Sequence, residues 1–243
     1  MGPEEKQEDP LLNPLPQAGE EEGRLDPGFA ARFEPVARGP AQLYLVSPLE
    51  VGGDFPARLE AALSGGPVAA FQYRVKDLEQ HEAARLAGPL MQICRDRDVA
   101  FIVNDDMALA KRIGADGVHL GQSDGDPRDA RALLGPSAQI GVSCHDSRHL
   151  AMEAGEAGAD YVAFGAFFPT STKATTHRPD PSILSWWSRL FEIPCVAIGG
   201  ITPENGGALV EAGADFLAVC GAVWNHGGDA AAAVAAFEPI LRR

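Results

Sequence analysis

The sequence predicts an α/β fold, a single (β/α)8 TIM barrel with a disordered or loosely attached N-terminal tail, on three observations. Short apolar runs with the texture of buried strands recur eight times between residues 43 and 219. Segments of helical spacing separate them, for example residues 78–97 and 147–157. The tripeptide Gly-Ala-Asp occurs at 114–116, 158–160 and 213–215, each time between a helix-like segment and a run. Alternating strands and helices imply right-handed crossovers into a parallel sheet. Eight such units in about 200 residues close into a barrel. A doubly wound open sheet is the weaker alternative, because the GxGxxG dinucleotide turn is absent after the first strand.

Residues 1–38 carry nine acidic and four basic residues, are rich in proline and show no amphipathic period. They are expected to form a tail apart from a catalytic barrel of residues 39–243. Leu43–Val46 is the first strand and Val68–Phe71 the second, which runs into Gln72-Tyr73-Arg74-Val75-Lys76. If the extended geometry continues that far, strand alternation places Gln72, Arg74 and Lys76 on one side, so an amide and two cations face one space. A solvated surface charge pair is the competing reading. The third strand, Ala100–Val103, ends in Asn104-Asp105-Asp106, and the fourth, Gly117–Leu120, in Gly121-Gln122-Ser123-Asp124. Carboxylates after adjacent strands suit Mg²⁺ shared with a phosphate, and the competing role is a helix N-cap. Asp106, just before the helix-like run from Met107, fits the cap. Asp105 and Asp124 are the metal candidates.

The fifth strand, Ile140–Val142, leads into Ser143-Cys144-His145. The sixth, Tyr161–Phe164, leads towards Pro169-Thr170-Ser171-Thr172-Lys173, hydroxyls and a fixed cation suited to an anion. The seventh and eighth, Cys195–Ile198 and Phe216–Val219, end in Gly199-Gly200 and Cys220-Gly221. Bare N–H groups there match the phosphate site that barrels often build from these loops. The Gly-Ala-Asp glycines can end helices in the left-handed conformation. Asp116, Asp160 and Asp215 then sit at the amino ends of strands and are structural.

Composition narrows the function. No apolar segment reaches the roughly 18 residues needed to cross a bilayer, and Met1–Lys6 leads into no signal-peptide hydrophobic stretch, so a cytoplasmic protein is expected. The four cysteines lack CxxC spacing and read as reduced structural thiols. A net charge of −14 argues against nucleic-acid binding, so any anionic ligand needs a local cluster of cations. Arg74, Lys76 and Lys173 with a divalent metal of about +2, set against two carboxylates, leave about +3, which suits a diphosphate. His145, His119, His149 and His177 are equivalent acid or base candidates. No HExxH or GxSxG pattern singles one out.

Taken together, Gln72-x-Arg74-x-Lys76, Asn104-Asp105, His119-Leu-Gly-Gln-Ser-Asp124, Gly141-Val-Ser143, Pro169-Thr-Ser-Thr-Lys173, Ala197-Ile-Gly-Gly-Ile201 and Cys220-Gly221 give a chain that resembles the thiamine phosphate synthases over about residues 41–240. The resemblance implies a transferase that joins hydroxymethylpyrimidine diphosphate to thiazole phosphate with Mg²⁺ and releases diphosphate, by a dissociative route. It places Gln72, Tyr73, Arg74, Val75, Lys76, Asn104, Ser143 and Lys173 on the pyrimidine diphosphate, with Arg74, Lys76, Ser143 and Lys173 catalytic and Asp105 and Asp124 on the metal. Thr170, Ser171, Thr172, Gly200, Cys220 and Gly221 are placed on the thiazole phosphate. Its partners are these small molecules, with a homo-oligomer left open. Two positions depart from the family pattern: Asp106 stands where arginine is common, and Gly221 where serine is usual. A thiazole tautomerase using a histidine in the segment of His145 and a non-catalytic sensor are the rival readings.

Overall fold

The computed structural model describes residues 38–170, 177–225, 227 and 229–242. Eight parallel strands close into a barrel in sequence order: β1 (Gln42–Val46), β2 (Val68–Tyr73), β3 (Ala100–Asn104), β4 (Gly117–Leu120), β5 (Gln139–His145), β6 (Tyr161–Gly165), β7 (Cys195–Ile198) and β8 (Phe216–Val219). Around it lie α1 (Phe55–Ser64), α2 (Gln80–Arg95), α3 (Met107–Ile113), α4 (Pro127–Leu134), α5 (Arg148–Glu156), α6 (Ser182–Leu190) and α7 (Gly207–Glu211), and the short α8 (Gly221–Trp224), α9 (Ala230–Ala235) and α10 (Glu238–Leu241) follow the last strand. All eight predicted strands are present. β5 is longer than the apolar pattern indicates, because its polar end Ser143–His145 stays paired with β6 across a bulge, His145 opposite Phe164.

Alternation along each strand divides the core in two. Leu43, Leu45, Phe71, Tyr73, Phe101 and Val103 pack outward under the helices. Tyr44, Val46, Ile102, Tyr161, Ala163, Val196 and Ala218 form a separate cluster within the barrel.

The aspartates of the three Gly-Ala-Asp repeats knit the amino-end face. The glycines take positive φ (67°, 90° and 113° at Gly114, Gly158 and Gly213), and each following aspartate accepts a backbone N–H of the preceding strand. Asp116 Oδ2 accepts from Phe101 N at 2.7 Å, Asp160 Oδ2 from Ile140 N at 2.7 Å and Asp215 Oδ2 from Cys195 N at 2.9 Å. Arg131 pairs with Asp160 at 2.6 Å. Arg38 pairs with Asp215 and donates to the carbonyl of Phe191, so the last residue of the expected tail is bonded into the barrel.

Candidate active site

A cavity of about 490 Å³ opens at the carboxyl ends of the strands; all eight strands contribute to its lining, together with residues following β2, β6, β7 and β8. Its floor is a buried chain of polar groups. Gln72 Nε2 donates to Tyr44 Oη at 3.1 Å, Tyr44 Oη and Tyr161 Oη lie 2.8 Å apart, and His119 Nδ1 is 3.1 Å from Tyr161 Oη. His119 Nε2 then meets Ser143 Oγ at 2.9 Å. Burial pushes the Tyr44 phenol up to about 12, against the opposing pull of its hydrogen bonds to Tyr161 and Gln72, and drives Tyr161 well above the ordinary range. Both phenols are therefore uncharged at neutral pH.

Among the described residues, the arginine or lysine on the wall is Arg74. Ser47 is fully buried; its N–H donates to Gln72 O and its Oγ accepts from Arg74 N, both at 2.9 Å, so the chain leaving β2 is pinned as it turns into the cavity. Arg74 Nη1 is buried and, among the described residues, has no hydrogen-bond partner. An unpartnered buried guanidinium donor is costly, and an anion in the cavity would satisfy it.

Past Arg74 the expected alternation stops, because β2 ends at Tyr73. Lys76 is exposed and does not line the cavity, so the extended geometry does not continue far enough to put it on one strand face with Gln72 and Arg74. The side chain of Tyr73 is in the outer core with its hydroxyl donating to Ala83 O at 2.9 Å, and Val75 packs against the same layer.

At the ends of β3 and β4, Asp106 caps α3 by accepting from Leu109 N at 2.7 Å, as its position predicts. Asp105 has φ +66° and donates its N–H to His119 O at 2.8 Å, which ties the end of β3 to β4. Asp124 does not cap a helix: its Oδ2 accepts from Gly121 N at 2.9 Å, and Asp126 caps α4 instead. Neither Asp105 nor Asp124 is on the cavity lining, and among the described residues no cluster of three histidine, cysteine or acidic side chains could hold a metal. Two carboxylates on neighbouring loops remain a donor set of hard oxygens, which fits Mg²⁺ bound jointly with a phosphorylated ligand.

The far loops carry the glycines. Gly200 has φ +65°, and a β-carbon on it would lie 2.4 Å from Pro169 O, so the β7 loop and the β6 loop meet backbone to backbone. Asn205 holds this turn, accepting from Thr202 N at 2.8 Å and donating to Gly200 O at 3.0 Å. Asn104, Ser143, Thr170, Gly200, Cys220 and Gly221 all line the cavity. Ser171, Thr172 and Lys173 lie outside the described residues.

Sequence reasoning missed Tyr44, Tyr161, Asn205 and Asn225. The tyrosines sit inside apolar runs, but their inward register with Gln72 and His119 is a readable signal. His145 also lines the cavity and stacks on His177 with ring centroids 4.8 Å apart, while His177 Nδ1 is 2.9 Å from Asp146 Oδ1. Burial pushes the thiols of Cys94, Cys144 and Cys195 up to about 12, so they are neutral core groups, as their spacing predicts.

Comparison with known proteins decides the family. The family described as thiamine monophosphate synthase matches residues 43–223. The chain belongs to that family. It is 67% identical over 202 residues to the thiamine-phosphate synthase of Erythrobacter litoralis, covering 82% of this chain and 94% of that one. Against the thiamine-phosphate synthase of Rhodospirillum centenum it is 55% identical over 202 residues, covering 83% and 98%. The solved thiamine phosphate pyrophosphorylase of Pyrococcus furiosus superposes with a TM-score of 0.73 at 31% identity, over 82% of this chain and 95% of that one. Family membership makes the chain a transferase whose activity is thiamine-phosphate synthesis.

Proposed function

We propose that the chain binds 4-amino-2-methyl-5-hydroxymethylpyrimidine diphosphate and hydroxyethylthiazole phosphate in the 490 Å³ cavity and joins them, releasing diphosphate and giving thiamine phosphate. The observation that carries this reading is the unpartnered Arg74 guanidinium, which faces a cavity whose other loops offer glycine backbone. Arg74 holds the diphosphate. Asn104 and Ser143, with Gln72 behind them, orient the pyrimidine, and Thr170, Gly200, Cys220 and Gly221 hold the thiazole phosphate. Lys76, Ser171, Thr172 and Lys173 complete the two sites, the lysines on the diphosphate, with the backbone of Tyr73 and Val75 beside it.

The bond from the pyrimidine methylene carbon to the diphosphate oxygen breaks, the electron pair leaving with diphosphate, and the thiazole nitrogen donates a pair to the carbon that remains. Such a step needs no covalent nucleophile. It needs stabilisation of the charge growing on the leaving group, which Arg74 supplies in a desolvated pocket, and a second reactant already oriented. Asp105 and Asp124 would hold Mg²⁺, whose contribution when bound is further neutralisation of the diphosphate. We further infer a chain divided into an acidic segment at 1–38 and a catalytic barrel at 39–243. No described helix is long and apolar enough to cross a membrane.

Purified protein given both phosphorylated substrates with Mg²⁺ is expected to form thiamine phosphate and diphosphate in equal amounts, detected by chromatography. No product at any Mg²⁺ concentration would overturn the reading, and isomerisation of a thiazole carboxylate without coupling would replace it with the tautomerase.

A further inference from the structure

The cavity wall after β8 contains a polar side chain to which no role has been given. Asn225 follows α8 and lines the cavity. Its backbone N–H donates to Gly221 O at 3.0 Å, so its Cα is fixed relative to the glycine. Among the described residues its side-chain amide makes no hydrogen bond. A β-carbon built on Gly221 would meet Asn225 Nδ2 before any other atom, at 3.4 Å. The amide thus stands beside the space that a side chain at 221 would enter.

We propose that Asn225 is a specificity-determining residue that donates from Nδ2 to the phosphate of the thiazole substrate and supplies the side-chain donor that Gly221 lacks. This rests on the reading of the β7 and β8 loops as the phosphate-binding end. The terminal torsion of asparagine is broad and nearly two-fold, so the amide turns to an anion at little cost. A hydrogen bond to a charged acceptor is roughly twice as strong as a neutral one. Because Asn225 is exposed, the effect of losing it falls at the lower end of that range, about tenfold in affinity.

The test uses the full chain and steady-state rates, each substrate varied with the other saturating. Asn225→Ala is expected to raise KM for thiazole phosphate about tenfold while KM for pyrimidine diphosphate moves less than twofold. With the unphosphorylated thiazole alcohol as acceptor, wild type and variant should have equal kcat/KM. Asn225→Asp should raise KM for thiazole phosphate further through charge repulsion, and Gly221→Ser in the Asn225→Ala background should recover part of the loss. An unchanged KM, or equal losses with the phosphate and the alcohol, would overturn the proposal. Calorimetric titration with inorganic phosphate separates it from the activity itself: weaker binding by Asn225→Ala supports the role of Asn225 even if wild type makes no thiamine phosphate, whereas equal binding overturns it.

Discussion

A guanidinium donor left unpaired in a protein interior costs free energy in the empty site and returns it when an anion arrives. Arg74 is in that state: Ser47 fixes its backbone, its Nη1 is buried, and no described residue pairs with it. Its removal should therefore harm catalysis without harming the fold. Arg74→Ala is expected to lower kcat/KM for pyrimidine diphosphate by about a hundredfold to a thousandfold, the scale of losing one preorganised charge-stabilising donor. Thermal unfolding without ligand should be unchanged or shifted upward, since an unsatisfied group is gone. Arg74→Lys should recover only part of the rate, because an ammonium lacks the planar fork that engages two phosphate oxygens. A variant with near-normal kcat/KM would remove Arg74 from the site.

Strand-to-strand ties at the amino face belong to a different class, where the loss should fall on stability alone. Asp160 accepts from Ile140 N and pairs with Arg131, which also donates to Ala138 O at 2.5 Å, so one carboxylate holds β5, the start of β6 and α4 together. Asp160→Ala leaves a backbone N–H and a guanidinium short of an acceptor and should cost about 1–3 kcal/mol in urea unfolding, with kcat/KM per folded molecule unchanged. A large loss of activity at full stability would instead place Asp160 in the catalytic apparatus. These aspartates were legible from a repeated tripeptide because the turn that ends each helix and launches the next strand is a local event. The strands were legible for the same reason, their apolar runs being short and bounded. The polar stretch after β2 was harder to read: alternation extrapolates Gln72, Arg74 and Lys76 onto one face, but the backbone leaves the ladder at Tyr73, and tertiary contacts of Ser47 decide where Arg74 goes. The competing cap role of Asp124 fails because the cap of α4 is two residues on, at Asp126. Asn205 and Asn225 carried no pattern, since each is placed by bonds within its own irregular loop, to Thr202 and Gly200 and to Gly221, that follow no fixed spacing.

The whole barrel buries several weakly acidic groups in their neutral form, and this couples its stability to alkaline pH. Cys94, Cys144, Cys195 and Tyr44 are each pushed up to about 12 by burial, from ordinary values of 9.0 for the thiols and 10.0 for the phenol. In each case the folded-state value lies above the unfolded one. Their neutral forms therefore contribute stability that is fully present below about pH 9, and as pH rises the unfolded chain releases protons that the native barrel retains. The slope of unfolding free energy with pH is set by the difference in bound protons and is negative from about pH 9 to 12. The thiols act first and the inner phenol about one unit later. Urea midpoints measured across this range should fall continuously, the slope steepening past pH 10 as Tyr44 joins. Cys94→Ala with Cys144→Ala should lower the midpoint at pH 7 by opening small cavities, yet flatten its fall between pH 9 and 10. A midpoint independent of pH up to 12 would mean that these groups ionise inside the native barrel, and the uncharged phenol of Tyr44 beneath the cavity would then lose its physical basis.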